Sequence, residues 1–396
     1  MISFVSTSPP PDAARTYTVG ETVMAKTRLH ALHDAGQSIW LDYIDRSLLR
    51  DGELSRRIER DALSGMTSNP TIFEKALTES DAYDDQLAAA PASHTSWELF
   101  EMIATDDVRD ACDVFREVYE TSGHADGFVS IEVSPGAAHD VEETLTEARR
   151  LWSLVNRPNV MIKVPGTRDG AVAARRLIAE GINVNITLLF ALDAYADVIE
   201  AYMSGLEERV REGKSIERAA SVASFFVSRV DTEVDKRIDA RLTSLSASDA
   251  ERLRALRGRI AIANAKLAYA LFQERFVSDR WRALAAKGGR VQRPLWASTS
   301  TKNPAYRDVM YVEALIGPDT VDTMPPPTIE AFRDHGIVAR TVDADIERER
   351  TAIADLESLG ISLASVTDKL LVDGLASFQK SFEGLLERLE QKVVER

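Results

Sequence analysis

Short apolar runs alternate with longer amphipathic stretches along the chain beyond the polar, proline-containing residues 1–20. Most of these runs are rich in β-branched or aromatic residues, and turn dipeptides such as Asn69-Pro70 close many of them. This combination predicts eight β-strands, at residues 38–44, 64–68, 127–133, 159–164, 182–190, 221–227, 293–298 and 319–324.

The segments between the runs carry apolar residues at steps of three and four, which is the spacing of one helical face. This spacing predicts helices at residues 53–63, 140–155, 170–181 and 193–213. The long connections 70–126 and 228–290 are also mostly helical by pattern, as is the chain beyond Pro327. We therefore expect helical insertions in two loops and a helical C-terminal extension.

Eight strands separated by helices indicate parallel βα units, and eight is the number that closes a barrel. An open doubly wound sheet is the alternative. That fold more often has a glycine-rich phosphate loop, and neither GxGxxG nor GxxxxGKS/T occurs here. We predict an α/β fold, a (β/α)8 TIM barrel at residues 31–330, after a tail and lead-in helix at 1–30. We expect C-terminal helices packed on the barrel at 331–396.

Composition and charge narrow the class of protein. The chain has 396 residues and a formal net charge of −15, which opposes binding to nucleic acid. No apolar run approaches the ~20 residues that span a bilayer, and the N-terminus lacks the features of a signal peptide. We therefore expect a cytoplasmic protein with no nucleic-acid or membrane partner, and we leave open whether it is a monomer or a homodimer.

Cysteine and histidine are scarce. Cys112 is the single cysteine, so an intramolecular disulfide and a Cys-based metal site are excluded. None of the six histidines lies in an HExxH arrangement. The sequence therefore predicts chemistry that needs no metal or other cofactor, and a packing role for Cys112.

Polar side chains stand near the ends of nearly all the predicted strands. The C-terminal mouth of a barrel is where such enzymes collect their catalytic groups. The candidates are Asp42, Thr67, Asn69, Glu132, Lys163, Asn185, Thr187, Ser224, Arg229, Ser298, Ser300 and Lys302. Any neutral member of this set, taken alone, could instead be a hydrogen-bonded polar group of the core.

Lys163 is the most informative candidate, because it interrupts the otherwise apolar run VMIKV at residues 160–164. Burial disfavours an ammonium and makes a neutral, nucleophilic amine available, and such an amine can form a Schiff base with a ketone. A lysine that extends from the strand end into solvent is the alternative. Glu132 and Asp42 are the expected proton carriers, since no histidine falls at a strand end. Each carboxylate could otherwise be paired structurally with a basic residue.

A cationic and hydroxyl-bearing group follows the sixth and seventh strands, and consists of Arg229, Ser298, Ser300 and Lys302. A phosphate site near the last strands recurs in barrels, and arginine can bind phosphate oxygens in a bidentate manner. This group therefore predicts a phosphate site. A surface salt bridge with an acid such as Asp231 is the alternative for Arg229.

Seven segments of the chain are similar to those of a known family. They are WLDYI, TSNPTIFEKA, SIEVSP, MIKVPGT, NVNITLLF, SFFVSRVD and LWASTSTKNPAY. In this order they resemble the transaldolase family, in particular its longer bacterial form. The resemblance extends from about Ser38 to Pro327, which is essentially the whole predicted barrel.

The resemblance implies a class I aldolase barrel in which Lys163 forms the Schiff base. It implies that Asp42 acts as acid and base at the carbon–carbon bond. Glu132 would relay protons through a water held by Thr187. These roles agree with what the residues alone predict for the lysine and the two carboxylates.

The resemblance also implies how the substrate is bound. Asn69 and Asn185 would hydrogen-bond the dihydroxyacetone unit, and Ser224 and Phe226 would shape the pocket.

The same resemblance implies that Arg229 and Ser298 bind the sugar phosphate. The shorter members of the family have an arginine at the position of Ser300. Here Lys302, two residues further on, is the candidate for the second phosphate cation.

The implied activity is transfer of a dihydroxyacetone unit between sugar phosphates in the non-oxidative pentose phosphate pathway. The donor would be sedoheptulose 7-phosphate or fructose 6-phosphate, and the acceptor glyceraldehyde 3-phosphate or erythrose 4-phosphate. Two rivals remain: an aldolase that releases free dihydroxyacetone, and a catalytically silent sugar-phosphate binder. Glu132 favours transfer over simple cleavage, and the intact set of Lys163, Glu132 and Asp42 argues against a silent binder.

Overall fold

Eight parallel strands close into a barrel in the computed structural model, which describes residues 26–394 and their side chains up to residue 392. The strands follow one another around the barrel in chain order, and the first pairs with the last. They are β1 (Gln37–Asp42), β2 (Leu63–Thr67), β3 (Phe128–Glu132), β4 (Val160–Pro165), β5 (Val184–Leu189), β6 (Ser221–Phe226), β7 (Arg293–Ala297) and β8 (Thr320–Met324). The predicted (β/α)8 barrel is confirmed, and each predicted strand agrees with the observed one to within two residues at either end.

Helices fill the connections and both ends of the described range. They are α1 (Arg28–Asp34), α2 (Arg46–Arg50), α3 (Glu53–Asp61), α4 (Pro70–Glu79), α5 (Asp84–Ala89), α6 (Ser96–Val114), α7 (Arg116–Thr121), α8 (Val141–Val155), α9 (Arg168–Glu180), α10 (Leu192–Arg211), α11 (Ser228–Arg241), α12 (Ala247–Arg254), α13 (Ile260–Arg275), α14 (Asp279–Ala285), α15 (Met310–Ala314), α16 (Pro326–His335), α17 (Ile346–Ser358) and α18 (Leu363–Val394). Two short 3-10 helices lie at Pro135–His139 and Leu242–Ser244. The predicted helical insertions are therefore present as α4 to α7 and as α11 to α14.

Capping residues directly after the strands explain why the helices begin so close to the barrel mouth. The Asn69 carboxamide oxygen accepts a hydrogen bond from the backbone N–H of Ile72 at 3.0 Å, which caps α4. Thr167 caps α9 in the same way, through the N–H of Gly170 at 2.9 Å. A side chain at Gly170 would collide with the carbonyl oxygen of Pro165, so only glycine lets α9 start over the end of β4.

Side chains alternate along each strand between the barrel interior and the surrounding helices. On β4, Met161 belongs to the cluster inside the barrel, whereas Ile162 packs in the larger core between strands and helices. The interior cluster consists of Trp40, Tyr119, Phe128, Met161, Ala220, Val222, Leu295, Ala297 and Val321. Lys163, two residues after Met161, therefore stands inside the barrel one layer closer to its C-terminal mouth.

Helix α18 crosses the barrel mouth from the side of α11 to the side of α4 and α6. Near its start, Lys369 lies 3.8 Å from Glu233 of α11. Further along, the Thr71 hydroxyl of α4 donates to the Ser381 hydroxyl at 2.8 Å, and the Phe382 ring packs against aromatic rings of α6. The helix therefore forms part of the wall above the strand ends.

The division of the chain at residues 30 and 330 stays a prediction, and the expected N-terminal tail lies outside the described residues. Among residues 26–394, no helix has the length and apolar character required to cross a membrane. Cys112 is buried in α6, within the main hydrophobic core.

Candidate active site

A cavity of about 460 Å³ opens at the C-terminal ends of the strands, beneath α18. Among the candidates named from the sequence, those that line it are Asp42, Thr67, Asn69, Glu132, Lys163, Thr187, Ser224, Phe226, Arg229, Ser298, Ser300 and Lys302. Strand order explains this convergence, because the ends of eight parallel strands form one rim. Asn185 is the exception and does not line the cavity.

Lys163 and Glu132 face each other across β4 and β3, where they are paired in register. The Lys163 ammonium nitrogen lies 3.2 Å from Glu132 Oε2, and it also donates to the carbonyl oxygen of Ser68 at 3.4 Å. The Lys163 side chain is 10% exposed, so it does not extend into solvent. The amine therefore stands inside the barrel beside its candidate proton carrier.

Burial raises the pKa of Glu132 above the ordinary range of a glutamate. The positive charge and hydrogen bond of Lys163 oppose this rise, and the negative charge of Asp42 adds to it. Glu132 therefore keeps a proton to higher pH than an exposed glutamate does. Glu132 can therefore hold a proton within 3.2 Å of the Lys163 amine.

Asp42 ends β1 and lines the cavity in a half-buried position. Its Oδ1 accepts a hydrogen bond from the Thr67 hydroxyl at 2.9 Å, which connects the ends of β1 and β2. Thr67 therefore fixes the orientation of the carboxylate rather than standing free in the cavity.

Asn185 is paired in register with Lys163 and lies inside the barrel, fully buried below the residues that line the cavity. Its Nδ2 donates to the Ser130 hydroxyl at 3.0 Å, and its Oδ1 accepts from the Ser224 hydroxyl at 2.7 Å. In this structure it orients Ser224, which does line the cavity. A direct bond from Asn185 to a substrate stays a prediction.

The end of β5 departs from regular strand geometry. The pairing of β5 with β6 shifts register between Ile186 and Leu189, and Leu188 has a left-handed backbone with φ of 59°. Such bulges re-aim side chains at barrel rims. Thr187, which lines the cavity, stands inside this irregular segment.

Arg229 is the second residue of α11, and its guanidinium lies 5.2 Å from the centre of the Phe226 ring. Removal from water lowers the pKa of Arg229, and the negative charge of Asp42 partly opposes this. Asp231 instead accepts hydrogen bonds from the Ala261 N–H and the Tyr311 hydroxyl. Within residues 26–392 no carboxylate forms an ion pair with Arg229, so its charge is available to an anion in the cavity.

Ser298, Ser300 and Lys302 follow β7 as one loop at the cavity wall. The Ser298 hydroxyl lies 2.9 Å from the Ser228 hydroxyl, which precedes Arg229 in α11. Lys302 is exposed, and its ammonium donates to the Ser300 hydroxyl at 2.9 Å. The loop therefore presents hydroxyl groups and a second cation on the same side of the cavity as Arg229.

The sequence pattern does not point to several residues that line the cavity. Helix α18 contributes Gly374, Ser377, Phe378 and Ser381, and α4 contributes Lys75. The pattern predicted terminal helices near the barrel but gave no signal for which residues would reach the cavity. Residues some 300 positions apart meet here only through tertiary packing.

The described part of the chain has no group of three or more His, Cys, Asp or Glu side chains that could hold a metal ion. The acidic and basic side chains that line the cavity are instead two carboxylates, three lysines and one arginine. This set provides an amine, proton carriers and anion-binding cations in one enclosure.

Comparison with known proteins identifies the family. A family model described as transaldolase/fructose-6-phosphate aldolase matches residues 39–389. The chain belongs to this family.

Relatives of similar length agree with the family assignment. "Transaldolase 2" of Nostoc sp. (strain PCC 7120) is 47% identical over 379 residues, which cover 93% of this chain and 98% of that protein. "Transaldolase" of Thermobifida fusca is 48% identical over 367 residues, 92% of this chain and 98% of that protein. "Transaldolase" of Mycobacterium bovis is 45% identical over 362 residues, 91% of this chain and 95% of that protein.

Proposed function

We propose that the protein is a transaldolase that moves a dihydroxyacetone unit through a Schiff base on Lys163. The donor is sedoheptulose 7-phosphate or fructose 6-phosphate, and the acceptor is glyceraldehyde 3-phosphate or erythrose 4-phosphate. This activity belongs to the non-oxidative pentose phosphate pathway. The observation that carries the proposal is the buried pair of Lys163 and Glu132 in the cavity that Arg229 also lines.

Substrate binding begins with the phosphate. Arg229 has no carboxylate partner among the described residues, and the hydroxyl groups of Ser298 and Ser300 stand on the same side of the cavity. Lys302 adds a second, exposed cation. Together they anchor the phosphate end of a sugar, and the carbonyl end then extends inward to Lys163.

Schiff-base formation uses the buried pair. The Lys163 amine attacks the ketose carbonyl at C2, and the carbinolamine loses its hydroxyl as water when Glu132 supplies a proton. The raised pKa of Glu132 suits this step, because the carboxyl is protonated at a pH where an exposed glutamate is not. Thr187 lines the cavity and holds the water that relays the proton.

Carbon–carbon cleavage uses Asp42 as the base. Asp42 takes the proton of the C4 hydroxyl, the C3–C4 bond breaks, and the electron pair moves into the protonated imine to give an enamine. The aldose phosphate leaves. The enamine then attacks the aldehyde of a second aldose phosphate, Asp42 returns the proton, and hydrolysis frees the new ketose phosphate from Lys163.

Reduction with borohydride tests the covalent step. Wild-type protein incubated with fructose 6-phosphate and borohydride is expected to gain one reduced three-carbon adduct, located on Lys163 by peptide mapping. Lys163→Ala is expected to gain none. Lys236→Ala, which removes an exposed lysine of α11, is the matched control and is expected to label as the wild type does.

The same substrates separate transfer from simple cleavage. With erythrose 4-phosphate present, sedoheptulose 7-phosphate is expected to accumulate, whereas without an acceptor little free dihydroxyacetone is released. Rapid release of dihydroxyacetone without an acceptor would show an aldolase instead.

In the borohydride experiment, an adduct on a residue other than Lys163, or no adduct at all, would refute the Schiff-base proposal. Cytoplasmic location and the choice between monomer and homodimer stay predictions.

A further inference from the structure

Thr299 stands between the two serines of the proposed phosphate loop but faces away from the cavity. Ser298 and Ser300 both line the cavity, whereas Thr299 does not and is fully buried. Its hydroxyl donates to Asp322 Oδ1 at 2.8 Å and lies 3.2 Å from the carbonyl oxygen of Thr323. The loop is therefore fixed from behind through its central residue.

Asp322 is a buried acid on β8 that the proposed chemistry does not use. Its neighbour Val321 packs inside the barrel and Thr323 lines the cavity, so the alternation of the strand directs Asp322 to the other side. Asp322 is fully buried, and its Oδ2 has no hydrogen-bond partner among the described residues. Burying a carboxyl group is unfavourable unless its hydrogen bonds are made. The hydrogen bond from Thr299 is therefore the main compensation for the burial of Asp322 among the described residues.

Burial raises the pKa of Asp322 well above the ordinary range of an aspartate, although the hydrogen bond from Thr299 opposes this. Burial therefore favours the neutral carboxylic acid form of Asp322 over the charged carboxylate. A neutral acid and an asparagine have the same shape and offer the same carbonyl-type oxygen to Thr299. Asp322→Asn is therefore a variant that keeps the hydrogen bond from the Thr299 hydroxyl.

The backbone of the loop at residues 298–302 has an unfavourable conformation that the hydrogen bond from Thr299 to Asp322 helps to hold. Ser298 has a left-handed conformation with φ of 59°, which is unfavourable for any residue with a side chain. On the outer side, the Ser298 hydroxyl lies 2.9 Å from Ser228, and the Tyr306 hydroxyl donates to Asp235 of α11. On the inner side, the bond from Thr299 to Asp322 holds the segment against β8.

We propose that Asp322, acting through Thr299, is a positioning residue for the phosphate-binding loop at residues 298–302. It holds the hydroxyl groups of Ser298 and Ser300 at the cavity wall on the side of Arg229. This inference rests on the proposed function, because it assumes that the loop receives a sugar phosphate. Asp322 itself touches neither substrate nor the reacting atoms.

Acceptor kinetics test the inference with fructose 6-phosphate as donor. Thr299→Val, which is nearly isosteric, and Asp322→Leu each remove the bond. Both are expected to raise KM for erythrose 4-phosphate about tenfold, with kcat within about twofold of wild type. KM for unphosphorylated D-glyceraldehyde is expected to stay unchanged, because that acceptor makes no phosphate contact. Arg229→Ala gives the scale of a direct phosphate contact.

Asp322→Asn is the matched control and is expected to behave as the wild type, since it keeps the acceptor oxygen. The double variant Thr299→Val/Asp322→Asn is expected to match Thr299→Val alone. Equal rises in KM for both acceptors, or no rise for erythrose 4-phosphate in Thr299→Val, would overturn the inference. If Asp322→Leu fails to fold, Thr299→Val decides alone. A wild-type protein without the borohydride adduct on Lys163 would refute the proposed function instead.

Discussion

Glu132 and Lys163 share one enclosure, and burial decides how strongly Glu132 holds its proton. Removal from water favours the neutral carboxyl of Glu132, and the nearby charge of Asp42 favours it further. The protonated carboxyl of Glu132 therefore persists beside Lys163 to a pH at which an exposed glutamate has lost its proton. In the proposed mechanism this proton serves the dehydration of the carbinolamine on Lys163.

The imine-forming rate should therefore fall as the pH rises through the pKa of Glu132, because the carboxyl then loses the proton that it supplies. In the wild type this limb is expected above the pH at which an exposed glutamate titrates, because the pKa of Glu132 is raised. Glu132→Gln is expected to lose the limb and to lower the rate about 100-fold, the usual contribution of a proton carrier. The rate of borohydride trapping with fructose 6-phosphate measures this across pH.

Asp42→Asn is the informative control for this titration. It removes the negative charge that helps to raise the pKa of Glu132, so the fall in rate through this pKa is expected to move to lower pH. Trapping, measured as the sum of the six-carbon and three-carbon adducts on Lys163, reports imine formation, which comes before the cleavage assigned to Asp42. A limb that persists unchanged in Glu132→Gln would show that another group titrates.

Helix α18 depends on one glycine where it crosses the barrel mouth. A Cβ at Gly374 would lie 3.1 Å from Leu188 Cδ2 and 3.8 Å from an Nη of Arg229. The absence of a side chain thus lets the helix lie directly on the bulged end of β5 and next to Arg229. In the middle of a helix glycine is unfavourable by ~1 kcal/mol relative to alanine, so close approach is the physical reason for it here.

Gly374→Leu is expected to displace α18 from the mouth. Overpacking of this kind destabilises proteins by about 1–3 kcal/mol, and KM for fructose 6-phosphate is expected to rise severalfold because the cavity loses part of its wall. Thermal unfolding and steady-state kinetics measure the two effects. Val372→Leu adds bulk to the same helix at a position that is 66% exposed, and is expected to change neither. Similar behaviour of the two variants would contradict the role of the glycine.

Charge is distributed unevenly over the whole molecule. The net charge of the chain is −15, yet four cations and two carboxylates line the cavity. The sugar phosphates proposed as substrates would therefore meet a locally positive enclosure in an acidic protein. Carboxyl groups outside the cavity are also buried, among them Asp231 of α11. Their shifted pKa values make the stability of the fold depend on pH.

Asp231 is expected to make the protein less stable as the pH rises. Burial raises the pKa of Asp231 from 3.8 to about 7, although hydrogen bonds from the Ala261 N–H and the Tyr311 hydroxyl oppose the rise. The folded state thus binds this proton more tightly than the unfolded state. The contribution is complete below the unfolded pKa and is lost as the pH rises through about 7, with a slope of at most ~1.4 kcal/mol per pH unit.

Thermal unfolding between pH 5 and pH 8 tests this dependence in the full chain. Asp231→Asn cannot titrate, so its unfolding temperature is expected to vary less with pH than that of the wild type. Asp239→Asn changes a largely exposed carboxylate of the same helix and is expected to keep the wild-type slope. The test compares how steeply the unfolding temperature changes with pH, not its absolute value, because Asp231→Asn also alters the hydrogen bonds at that position. Parallel slopes in all three proteins would rule out the role of Asp231.

Much of the barrel could be predicted because strand and helix patterns are local. The run VMIKV at residues 160–164 identifies a buried strand, and the single polar residue in it identifies the amine. Glu132 and Asp42 follow from the same argument, since the catalytic groups of barrel enzymes collect at the strand ends. Asn185 shows the limit of that argument. Alternation gives the side of the strand that it faces, but not whether Ser224 stands between it and the cavity.

The sequence by itself determined the eight strands, their parallel closure and the kinds of polar residue at the strand ends, because these depend on periodicity and on residues adjacent in the chain. The tertiary structure decided which distant residues meet. It placed α18 across the mouth, set Asp322 behind Thr299, and left Arg229 without a carboxylate partner among the described residues. Such contacts join positions far apart in the chain, and they depend on how the helices pack around the closed barrel. No local pattern encodes them.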